Sequence, residues 1–254
     1  MDDPSLLRYS RHLLLEEIGI EGQERIARAQ VLLVGAGGLG CPAALYLAGA
    51  GVGRLVLFDH DRVDLTNLQR QVLHTTARIG QPKAQSAAQA LHALNPDVRL
   101  EARIDRATED SLAGSLAGID VVLDCSDNRA TRYAVNRACV AAGVALVSGA
   151  ASRMDGQLAV FDLRRDDSPC YACLFPEGEG SDDNCATLGV FAPLTGLIGA
   201  LQAAEALRLI HPFGAPATGE LLTVDGAGME FRRLRFARDP RCTVCSGRPH
   251  RDHA

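Results

Sequence analysis

Residues 31–59 constrain this chain more than any other stretch, because they can be read only as strand, glycine turn, helix, strand and acid. Val31 to Val34 is an apolar run without alternation, which suits a parallel strand buried on both faces. Gly35, Gly37 and Gly40, with Gly38 between them, then fill a G-x-G-x-x-G pattern that turns tightly into a helix. Missing side chains let such a turn approach phosphates, whose charge meets the free N–H groups and dipole of the helix start. Leu55 to Phe58 is the second strand, and Asp59 ends it nineteen residues after Gly40, where a carboxylate can accept from a ribose hydroxyl. The pattern points to a nucleotide site and leaves open NAD, FAD or ATP.

Size and charge narrow the classes. The chain has 254 residues, 47% hydrophobic, enough for one large domain. A net charge of −5 argues against a protein that coats nucleic acid, which carries a basic excess. No apolar run approaches the ~20 residues that span a bilayer, and the start, Met1-Asp2-Asp3-Pro4, is acidic where a secretory signal is basic. The expectation is a cytoplasmic protein.

The order of elements implies an α/β fold, a Rossmann-like, doubly wound and mainly parallel sheet. Residues 5–28 carry two helical patterns broken at Gly19 and Gly22, an N-terminal extension (1–29) bearing Arg8-Tyr9-Ser10-Arg11-His12 that could reach a neighbouring subunit. The nucleotide-binding core is expected over 30–162. Within it a helix rich in alanine opens at Lys83, where the dipole disfavours a cation. Lys83 is therefore either an ordinary surface lysine or one offset by a phosphate. Residues 119–124 form another buried strand, which places Asp127 and Asn128 at its carboxyl end, where open sheets bind ligands. Helices are expected at 129–142 and 194–210, and strands at 220–225 and 229–236. Residues 163–247 are expected to form a crossover part of different texture, and 248–254, with His250 and His253, a disordered polar tail.

Cysteines divide into two kinds. Cys170-x-x-Cys173 and Cys242-x-x-Cys245, with 68 residues between them, supply four thiolates; one such pair could be a redox couple, but two without a thioredoxin-like context fit a closed tetrahedral zinc site better. Such a site ties the C-terminal strands down and leaves no room for substrate. Cys41, Cys125, Cys139 and Cys185 are scattered, as small buried hydrophobes are.

Taken together, Arg8 to Arg11, Gly35 to Gly40, Asp59, Thr66-Asn67-Leu68-Gln69-Arg70-Gln71, Pro82-Lys83, Asp124 to Asn128 and both cysteine pairs resemble the MoeB/ThiF family, relatives of the ubiquitin-activating enzymes. The resemblance covers nearly the whole chain. It implies an adenylyltransferase that uses ATP to activate the C-terminal glycine of a ubiquitin-like sulfur carrier, MoaD-like or ThiS-like, for molybdopterin or thiamine biosynthesis. By it, Asp59 holds the ribose, residues 35–40 approach the phosphates, and Thr66, Asn67, Leu68, Gln69, Arg70, Lys83 and Asn128 belong to the nucleotide site. Asp127 would carry magnesium, and Arg11 would reach the ATP of the partner in a homodimer. In ThiF-like members a cysteine in the context of Asn184-Cys185 can link covalently to the carrier, although Asp182 and Asp183 oppose a reactive thiolate here. No room follows Cys245 for a sulfur-transferring domain, so a separate sulfur donor is expected. The rivals are an NAD-dependent oxidoreductase, a non-catalytic scaffold and a relative acting on tRNA.

Overall fold

The computed structural model describes residues 1–178, 189–214 and 217–248; Cys185, His250 and His253 lie outside them. One eight-stranded sheet organises the chain. Its strands are β1 (Gln30–Val34), β2 (Arg54–Phe58), β3 (Arg99–Arg103), β4 (Val121–Asp124), β5 (Ala145–Ser152), β6 (Asp155–Phe161), β7 (Glu220–Asp225) and β8 (Glu230–Arg235). Their order is β3-β2-β1-β4-β5-β6-β7-β8. The first five are parallel, and β6, β7 and β8 extend the sheet antiparallel. The expected doubly wound sheet is therefore present, with an antiparallel half added to it.

Burial explains the unbroken apolar runs. Along β1, Val31 and Leu33 join a core cluster on one face, and Leu32 and Val34 a second cluster on the other. The first face is covered by α3 (Gly19–Arg28), α4 (Gly40–Gly49), α5 (Lys83–Leu94) and α9 (Ala192–Ile210). The second is covered by α6 (Glu109–Ala113), α7 (Arg129–Ala142) and α8 (Tyr171–Leu174). A strand sandwiched this way has no polar face to show.

The N-terminal extension departs from expectation. It forms α1 (Asp3–Arg8), α2 (Ser10–Leu13) and α3, and Gly22 lies inside α3. A Cβ there would stand 2.6 Å from the His211 ring, so this glycine serves close packing and does not break the helix. Tyr9 is buried between α1 and α2, and its hydroxyl accepts from Asn95 Nδ2 at 2.9 Å. At the other end, Arg248 donates to the carbonyls of Arg165, Asp166 and Ser168, so the first residue of the polar tail is part of the fold.

The glycine turn is folded onto itself. Gly35 adopts φ +95, a left-handed backbone region that disfavours side chains, and a Cβ on Gly40 would lie 1.8 Å from the Gly35 carbonyl oxygen. That oxygen is backbone and cannot swing aside. Gly40→Ala should therefore cost ~2 kcal/mol or more by overpacking, seen as a lowered melting temperature by circular dichroism. Wild-type melting in that variant would mean the turn is looser than described.

Candidate functional site

A cavity opens at the carboxyl ends of β1, β2 and β4, walled by the glycine turn, the loop after Asp59 and the turn between β4 and α7. Gly35, Gly37 and Gly38 line it, as do Asp59, Arg70, Lys83, Asp127 and Asn128. Four cationic side chains face it (Arg70, Lys83, Arg106 and Arg132) and four carboxylates (Asp59, Asp61, Asp105 and Asp127). Such a lining can hold polyanion and cation together.

Asp59 is buried, and its carboxylate is gripped by two main-chain amides. The Ala36 N–H donates to Oδ2 at 2.7 Å, and the Asp61 N–H to Oδ1 at 2.8 Å. Burial pushes its pKa up, opposed by the Lys83 charge and these amides. Each oxygen keeps a lone pair for a hydroxyl donor.

Lys83 is not a surface lysine, because it is only 7% exposed. Its Nζ pairs with Asp61 Oδ2 at 3.0 Å, and its backbone N–H donates to the Asp61 carbonyl at 2.9 Å. Asp61 thus offsets the cation's unfavourable place at the start of α5. Arg70 leans back on its own turn, with Nη1 on the Thr66 carbonyl at 3.1 Å.

Thr66, Asn67, Leu68 and Gln69 are not among the residues lining the cavity. Asp64 accepts from the Thr66 N–H and Asn67 Oδ1 accepts from the Asp64 N–H, a reciprocal cap on a single helical turn at Leu65–Asn67. Those side chains shape the loop that carries Arg70. Asn128 likewise caps α7, accepting from the Thr131 N–H at 2.9 Å. Asp127, one residue earlier, is exposed on the cavity wall. Arg11 is exposed on a separate groove with Tyr46 and Leu94.

A buried polar network behind Asp127 escaped the sequence reading. Asp124, 1% exposed, accepts from Ser126 Oγ at 2.6 Å and Ser148 Oγ at 3.1 Å, with Arg132 Nη1 at 3.9 Å. Arg132 also donates to the Ser126 and Gly149 carbonyls, and Gln202 on α9 donates to the Asp124 carbonyl. The one signal in the sequence was an acid closing an apolar strand with a serine two residues on.

The four cysteines of the two C-x-x-C pairs meet across the second core. Their Sγ atoms lie 3.9 Å (Cys170–Cys173), 3.7 Å (Cys170–Cys242) and 3.4 Å (Cys173–Cys245) apart. A zinc ion with ~2.3 Å bonds to sulfur would set tetrahedral edges of ~3.8 Å, so this donor set fits zinc. The Cys170 and Asp239 amides each approach Cys173 Sγ at 3.5 Å, as outer hydrogen bonds to a thiolate do. Cys41, Cys125 and Cys139 are buried as expected, and burial pushes the Cys41 thiol up to about 12.

Comparison with known proteins places the chain. A family model described as ThiF family matches residues 9–244. The chain belongs to the ThiF family. It is 47% identical over 247 residues to the Escherichia coli sulfur carrier protein ThiS adenylyltransferase, covering 97% of this chain and 98% of that one. It is 45% identical over 245 residues to a Salmonella typhimurium molybdopterin-synthase adenylyltransferase, covering 96% and 98%. The fold of this ThiF-family chain also matches E. coli MccB solved with MccA-N7isoASN, with TM-score 0.83 at 21% identity, over 96% of this chain and 75% of that one.

The sulfur cluster of this ThiF-family protein yields a direct test. Cys242→Ser should lose most bound zinc, by elemental analysis, and lower the melting temperature, while nucleotide affinity at 20 °C stays near wild type. Full zinc content in that variant would remove Cys242 from the metal site.

Proposed function

We propose that this chain adenylates the C-terminal glycine carboxylate of a small ubiquitin-like sulfur carrier, MoaD-like or ThiS-like, with ATP as the second substrate. One observation carries the proposal: the glycine turn, Arg70, Lys83 and Asp127 line a single cavity at the carboxyl ends of parallel strands. The names of full-length relatives in both the thiamine and the molybdopterin pathways support the same substrate class.

The chemistry asks for little beyond placement and charge. The carrier carboxylate is already ionised, so it needs no general base. Its oxygen attacks the α-phosphorus, the bond from that phosphorus to the bridging oxygen breaks, and pyrophosphate leaves with the electron pair. Repulsion between two anions is the barrier to be lowered. Asp59 would accept from the ribose and the Gly35–Gly38 backbone would lie against the phosphates, with Arg70 and Lys83 neutralising the departing pyrophosphate. Asp127 would hold magnesium, which when bound supplies further charge neutralisation on the phosphates. Bound triphosphate would compete with Asp61 for the Lys83 ammonium.

Several parts of this reading extend beyond the cavity. Arg11 lines a groove separate from its own cavity, in keeping with a homodimer in which it would reach the partner's ATP. Cys185 would be the residue for any covalent link to the carrier, and sulfur would come from a separate donor protein. The four cysteines would hold zinc for stability. Among the described residues no helix is long and apolar enough to cross a membrane, in keeping with a cytoplasmic enzyme. An NAD-dependent oxidoreductase leaves Arg70, Lys83 and Asp127 without a task.

Exchange of labelled pyrophosphate into ATP, dependent on added carrier and indifferent to NAD, tests the reading. Arg70→Ala and Asp127→Ala should each cut exchange ~100-fold or more with zinc and melting temperature retained. Exchange that proceeds without any carrier would refute the substrate class. If Arg11 acts in trans, mixing inactive Arg11→Ala with inactive Asp127→Ala should restore about a quarter of wild-type exchange through mixed dimers with one intact site. No recovery would place Arg11 outside the partner's site.

A further inference from the structure

His74 is buried directly behind the glycine turn, and no step of the adenylation chemistry uses it. Its Nε2 lies 2.9 Å from the Ala36 carbonyl oxygen, and its Nδ1 lies 2.9 Å from Ser86 Oγ on α5, one turn after Lys83. A carbonyl only accepts, so Nε2 carries a proton. The Ser86 hydroxyl then donates to Nδ1 of the neutral ring. Burial pulls the His74 pKa down; the Ala36 contact and Asp59 oppose this, while Lys83 and Arg78 add to it. Cys41 Sγ, 3.3 Å from the same carbonyl oxygen, is a second donor to it and stays a thiol.

Ala36 is therefore held from both ends. Its N–H is fixed by Asp59 at 2.7 Å and its C=O by His74. In a trans peptide the C=O of one residue and the N–H of the next point in opposite directions. Holding the Ala36 carbonyl toward the core thus turns the Gly37 N–H outward, and Gly37 lines the cavity. We propose that His74 is a positioning residue that aims the Gly37 amide at the phosphates of the bound nucleotide, and that through Ser86 it couples that amide to the helix presenting Lys83. This inference rests on the nucleotide reading above.

The test compares two substitutions of similar volume. His74→Gln keeps an N–H donor at nearly the reach of Nε2; His74→Leu fills the space without one. Affinities for ATP with magnesium and for adenosine are measured by calorimetry on the full chain, with the melting temperature as control. His74→Leu should weaken ATP about tenfold, the effect of one oriented hydrogen bond to a charged group, and leave adenosine within about twofold, because Asp59 and its amides are untouched. His74→Gln should restore ATP binding to within about twofold of wild type. Equal loss of ATP and adenosine would reduce His74 to a packing role and overturn the proposal, as would wild-type ATP affinity in His74→Leu or failure of His74→Gln to restore it. A wild-type chain that binds neither ligand would overturn the nucleotide reading itself, and this inference with it.

Discussion

Everything at the cavity depends on one buried carboxylate shared between two backbone amides. Asp59 stands at the end of β2, and by accepting from Ala36 and Asp61 it fixes the glycine turn of β1 and the loop that follows β2 in a single stroke. The loop in turn delivers Asp61 to Lys83 at 3.0 Å, which anchors the start of α5. Burying an anion is costly, and the raised pKa of Asp59 records that cost. Two amides and a nearby ammonium offset enough of it for the group to serve as the hinge pin of the site.

A second strand end of the parallel half repeats the device with different parts. Asp124 ends β4 as Asp59 ends β2, and its oxygens are filled by Ser126 and Ser148 with Arg132 alongside. Gln202 on α9 reaches the same strand end through the Asp124 and Val147 carbonyls. α9 is thereby fastened to the parallel half of the sheet at the edge of the cavity. Asp127 is exposed in front of this buried network, so a fixed backing sets where its carboxylate stands.

Much of this was legible in the sequence, and what was not shares one cause. Unbroken apolar runs located β1, β2 and β4, and helix 129–142 appeared at the expected residues, because those signals are local. Gly35, Gly37, Gly38, Asp59, Arg70, Lys83 and Asp127 line one cavity, and the four cysteines of the two pairs meet in a separate cluster. Local signals misled at Gly22, which is small because His211 packs on it from far along the chain. They were silent on Lys83 and Asp61, 22 residues apart, and on His74 and Ala36, 38 apart. Thr66 and Asn67 carry a family motif, yet their side chains close a local turn. A motif records which residues travel together and leaves unsaid whether each touches the ligand or supports one that does.

The sulfur cluster has a consequence for how the chain can be divided. Cys170 and Cys173 stand ahead of α9, and Cys242 and Cys245 stand beyond β8, with Cys170 and Cys242 72 residues apart. The intervening helix and two strands therefore form a loop whose ends are clasped by one knot. No fragment cut between those cysteine pairs retains more than two of the four sulfurs, so the antiparallel half cannot be trimmed, lent to another scaffold or released as a separate piece without untying itself.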